Sequence, residues 1–222
     1  LGGARLEKRM KLLSRGMQAS MAAVVVAGIA TGNLTWVPAA AVSLAISEVP
    51  SFLRRDLHLV LPVELNLWIV LALFLHVIGG VSGFYDSLAG WDHLTHAMSS
   101  SLIATLGFVA VVVLDKYVDS ISLPGPFLAF FIVMFTMAIG VSWELMEYIV
   151  DETMGTNMQY SLSDTMVDLL FDSLAGFIVA AGGTFYLRHV SKDRFVESLQ
   201  LDVAKERLET AVRRPKEETK EG

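Results

Sequence analysis

Apolar residues in this chain fall into long runs broken by short polar stretches, and the runs are longer than a soluble core helix needs. A membrane span takes about 20 consecutive apolar residues. Six runs are candidates: Met17 to Thr31, Leu34 to Ser47, Pro62 to Gly83, Trp91 to Leu114, Phe127 to Val150 and Thr165 to Leu187. The first two are short, and Gly32-Asn33 between them reads as the tight turn of a helical hairpin. The pattern therefore predicts an all-α, polytopic integral membrane bundle of about six helices. Residues 1–16 form a basic leader, 17–190 the membrane domain and 191–222 a polar tail, in which Phe195 to Val212 is a candidate surface helix.

The basic residues set the expected orientation. All 17 lie before the first run, between the second and third, between the fourth and fifth, or after the sixth. In a six-span chain these positions share one side, and basic loops face the cytoplasm. Both termini are expected there, in a multi-pass protein of the plasma membrane. The basic start runs directly into a span, so no cleaved signal peptide is expected.

Composition agrees with the pattern. Mean hydropathy is +0.55 and only 18% of residues are charged, against about 25% in soluble domains. With no cysteine, thiolate metal ligands and disulfides are excluded. The basic residues are an ordinary orientation signal without interleaved aromatics, so nucleic-acid binding is not expected.

The chemistry lies in nine acidic or histidine side chains at the other ends of the apolar runs. They are Asp92, His93 and His96 in WDHLTH, Glu144, Glu147 and Asp151 in WELMEYIVD, and Asp164, Asp168 and Asp172 in DTMVDLLFD. In a six-span bundle these ends are extracytoplasmic and carry no lysine or arginine. Ionisable groups inside a membrane are costly and mark functional sites. Asp92 and His96 are four apart, Glu144, Glu147 and Asp151 three and four, and Asp164, Asp168 and Asp172 four and four, so each set forms one helical stripe. His93 turns away from the Asp92–His96 face and reads as an interface residue. Asp151 and Asp164 also fit solvated helix ends, and Asp92 and Asp164 fit N-caps.

Carboxylates with imidazole on facing helices suit a divalent metal such as zinc, manganese, iron or magnesium. His96, Glu144, Glu147, Asp168 and Asp172 are the expected ligands, with Asp92 or Asp164 as general base. The Glu144-x-x-Glu147 spacing is loosely similar to that of di-metal helical bundles, without their Glu-x-x-His motif. Asn157 and Gln159, in the segment from Asp151 to Asp164, could offer amide contacts from a lid, and His76 is a further candidate at the same level.

The segments WDHLTH, GVSWELMEYIVDETMGTNMQ and DTMVDLLFDSLAG, in that order, resemble the uncharacterised YjdF-like membrane-spanning family and, more distantly, VanZ-like membrane proteins. The resemblance implies a compact six-span bundle and, through the VanZ-like likeness, a link to the cell envelope. Three functions are open at this point. One is a metal-dependent hydrolase or transferase of lipid-linked esters. Another is a divalent-cation or proton-coupled transporter, although no inverted repeat is visible. The third is an accessory subunit of a membrane complex, with a homo-oligomer as a further possible assembly.

Overall fold

The structure is a computed structural model that describes residues 2–33, 35–56, 61–117, 123–155 and 157–199. The described residues are helical, with no strand among them. The elements are α1 (Gly2–Thr31), α2 (Val37–Ser47), α3 (Val49–Asp56), α4 (Val63–Ser82), α5 (Phe84–Ser87), α6 (Trp91–Tyr117), α7 (Gly125–Met154), α8 (Leu162–His189) and α9 (Lys192–Ser198). Among the described residues, five stretches are long and apolar enough to cross a membrane: Gly3–Thr31, Val63–Ser82, Trp91–Lys116, Gly125–Thr153 and Leu162–His189.

The exception among the expected spans is the second. It forms the 11-residue α2, about 16 Å long at 1.5 Å per residue, roughly half a bilayer core. Pro38 sits in its first turn, where a missing N–H costs nothing, and a kink at Glu48 leads into α3. The first span differs in the other direction. Helix α1 starts at Gly2 rather than near Met17, because the basic leader is itself made of good helix formers. The candidate tail helix reaches only α9 before it passes outside the described residues.

The chain divides into two compact units, the first containing Leu1–Ile78 and the second Gly79–Lys192. In the first unit, Met17, Met21, Ala40, Val70 and Val77 form a buried apolar cluster from α1, α2 and α4. The hairpin predicted at Gly32-Asn33 is present, with Gly32 at φ 71°. Two polar clasps fix its depth. Gln18 Nε2 donates to Ser47 O at 3.0 Å and Oγ at 3.2 Å, and Arg15 pairs with Glu48 at 3.1 Å. The short α2 thus returns the chain to the level of Arg15.

The second unit is built on α6, α7 and α8, which pack against one another. Small residues let them approach closely. A Cβ at Gly176 would sit 3.3 Å from the Val133 backbone, and one at Gly140 would run into the Asp172 carboxylate. Lys192 Nζ binds Asp115, which ties the C-terminal ends of α6 and α8 to one level. Lys116, Arg188 and Lys192, the only basic residues in this unit's sequence, therefore gather at one end. The acidic and histidine stripes occupy the other.

Candidate metal centre

Helices α6 and α8 both begin at this second end, and α7 finishes there. Helix α8 starts on a serine N-cap: Ser161 Oγ accepts from Asp164 N at 3.2 Å. The N-cap is therefore Ser161 and not Asp164, which is free to turn its carboxylate inward. Helix α7 ends on Gly155 at φ 67°.

His96 is the hub, 9% exposed. Its Nδ1 lies 3.6 Å from Asp172 Oδ1, and its Nε2 lies 3.8 Å from Asp92 Oδ1 and 3.9 Å from Glu144 Oε1. The two ring nitrogens thus serve different partners. Asp172 is 1% exposed and also accepts a hydrogen bond from Ser100 Oγ. It lies on the Nδ1 side of the ring, away from the partners of Nε2. A carboxylate behind a histidine ring is the usual arrangement for fixing the tautomer of a metal-binding imidazole.

Asp92, His96 and Asp168 offer one ligand atom each within 4.8 Å of one another, and so do His93, Asp164 and Asp168. His93 is the correction here. The helical wheel turns it away from the Asp92–His96 face, yet its Nδ1 lies 3.0 Å from Asp168 Oδ1 and its ring stacks on Phe171 at 5.4 Å. Asp168 enters the gap between the two faces of α6 and so meets both. Sequence spacing on one helix cannot reveal a residue that docks between two of its stripes.

Two buried carboxylate oxygens, Glu144 Oε1 and Asp172 Oδ2, have no hydrogen-bond partner among the described residues. Glu144 is 5% exposed. Its other oxygen and its backbone carbonyl accept from Gln159 Nε2 at 3.4 and 3.0 Å. Gln159 belongs to a strap after Gly155. Asp151 holds that strap, accepting from the backbone N–H groups of Met158 at 2.7 Å and Gln159 at 3.0 Å. Asp151 is thus a latch for the connector. Tyr160, at φ 42°, ties the same strap to Asp86 at 3.1 Å; burial, and then Asp86, push its phenol up to about 12, so it stays a neutral donor.

Three further residues are expected at the site from the sequence. Glu147 is half-buried and accepts from Trp143 Nε1 at 2.9 Å, outside both three-residue groups. Asn157 is exposed. His76 lies on α4, in the first unit.

These features define a polytopic helical membrane protein with a buried carboxylate–histidine cluster at one end of a three-helix unit. Residues 13–189 match the family described as "Predicted membrane protein (DUF2238)", and the chain belongs to that family. It is also 31% identical over 134 residues, covering 59% of this chain and 67% of the relative, to an "Uncharacterized protein" of Thermotoga maritima. No solved structure matches the chain. Membership places it in a membrane, with its long helices against lipid.

Proposed function

We propose that the cluster is a divalent-metal site on the extracytoplasmic face of the plasma membrane, and that the protein is a metal-dependent hydrolase or transferase of lipid-linked esters. The observation that carries this reading is the Asp92–His96–Asp168 group, with ligand atoms within 4.8 Å of one another, beside the unpartnered Glu144 Oε1. Buried carboxylates need a positive partner or must lose their charge, and all three basic residues of this unit's sequence fall at its opposite end.

In this reading Asp92, His96 and Asp168 hold the cation, and Asp172 with Ser100 orients His96. A bound divalent ion would polarise an ester oxygen and make a coordinated water more acidic. Glu144 takes the general-base role in place of Asp92 or Asp164. Its Oε1 is buried and unpartnered, 3.9 Å from His96 Nε2, while Asp92 and Asp164 fall within the ligand groups. Gln159 holds the other Glu144 oxygen and so keeps Oε1 turned inward.

The transporter reading has less support. Between the cluster and Asp115 the three helices read LIATLGFVAVVVL, GPFLAFFIVMFTMAI and SLAGFIVAAGGTFYL, with no charged residue. A path of the kind marked by intramembrane Asp, Glu or His would need ionisable groups along that depth. Reconstituted vesicles discriminate the two. Hydrolysis of lipid esters that stops on chelation supports the enzyme, and divalent-cation flux without hydrolysis overturns it.

A further inference from the structure

We infer that the cluster holds two divalent cations bridged by Asp168, and that its substrate is therefore a lipid-linked phosphoester. The inference rests on the metal-site reading above and sharpens it. The two ligand groups, Asp92–His96–Asp168 and His93–Asp164–Asp168, share one carboxylate. Asp168 is 2% exposed and is placed between both faces of α6. Its Oδ1 lies 3.0 Å from His93 Nδ1, and its carboxylate also belongs to the Asp92–His96 group.

The helical geometry sets the two positions apart. Asp164 precedes Asp168 by four residues on α8, about one turn or 5.4 Å toward the helix start. His93 precedes His96 by three residues on α6, in the same outward direction. The two groups thus interleave along α6, and Asp168 is common to both. Two-metal centres with ions about 3.5–4 Å apart are compatible with one bridging carboxylate.

Charge points the same way. Asp92, Glu144, Asp164, Asp168 and Asp172 carry up to five negative charges when ionised, and no lysine or arginine lies near them in sequence. One divalent ion would leave three of those charges unbalanced and two would leave one. The orphaned oxygen of Glu144, buried and directed at the His96 side, is the independent sign that positive charge belongs there.

The substrate class follows from the missing basic side chains. Phosphate sites commonly rely on arginine or lysine, which this end lacks. Two cations can replace them, because a two-metal centre clamps the attacking and leaving oxygens of a phosphoryl displacement.

The test uses the full chain in lipid nanodiscs, stripped with a chelator and titrated with Mn2+. Two Mn2+ per chain with a spin-coupled paramagnetic resonance spectrum support the inference. Removal of one ion and of the coupling by His93→Gln or Asp164→Asn supports it further. A single Mn2+, or two without coupling, overturns the bridged pair while leaving the metal-site reading standing. No bound Mn2+ overturns both. Inorganic phosphate is expected to perturb the coupled spectrum, and a spectrum unmoved by phosphate overturns the phosphoester assignment.

Discussion

The two nitrogens of His96 face different carboxylates, and in the proposed site one side binds metal and the other positions the ring. Asp172 and Ser100 lie on the Nδ1 side, and Asp92 and Glu144 on the Nε2 side. Removing a ligand and removing its support should therefore differ. His96→Ala and Asp168→Asn are expected to abolish metal binding. Asp172→Asn is expected to keep the metal with affinity about tenfold to hundredfold weaker, the usual effect of losing a supporting carboxylate. Isothermal titration with zinc measures both, and an Asp172→Asn protein that binds no metal would move Asp172 into the ligand set. At this scale the sequence was partly legible. The i, i+4 stripes placed Asp92 with His96 and Asp164 with Asp168, because one helix fixes those spacings. Which carboxylate lies before or behind an imidazole depends on two helices at once, as does the meeting of His93 and Asp168.

At the scale of elements, the α7–α8 contact and the strap after α7 carry the site. Gly140 leaves room for the Asp172 side chain, and a Cβ there would collide with it. Gly140→Ala is expected to cost about 1–3 kcal/mol, as overpacked sites do, lowering the thermal midpoint, and to weaken metal binding by displacing Asp172. Thermal unfolding with and without metal reads both effects; unchanged metal affinity would contradict the placement of Asp172. The strap depends on Asp151, whose carboxylate accepts from two successive backbone N–H groups. Hydrogen bonds to charged groups contribute about 1.5–3 kcal/mol. Asp151→Ala should therefore speed amide exchange at Met158 and Gln159 by about tenfold to hundredfold, and protection that survives the change would show another latch. The apolar runs predicted the four C-terminal long helices to within a few residues, since hydropathy alone defines them. They could not separate a half-length α2 from a span, because apolar composition does not encode where a helix bends.

At the scale of the whole molecule, the second unit is two-sided, with its lysines and arginine at one end and the cluster at the other. Within the first unit, Arg15 and Glu48 meet across the α1–α2 hairpin; within the second, Asp115 and Lys192 join the ends of α6 and α8. Both pairs place basic residues at a common end of their own unit, which agrees with cytoplasmic basic loops. The chain has no cysteine, so single cysteines report topology without background. A membrane-impermeant maleimide is expected to label Ser163→Cys on intact cells and Lys116→Cys only after permeabilisation. The reverse pattern would put the cluster in the cytoplasm. The family relationship supports the membrane placement, and the metal chemistry is what we propose within it. The most direct measurement of that chemistry is elemental analysis of the protein purified without added metal, beside its Asp168→Asn variant. The account predicts a stoichiometric divalent metal in the wild-type chain and its loss in the variant, with both proteins equally helical by circular dichroism. A folded wild-type chain that carries no divalent metal and takes none up would contradict it.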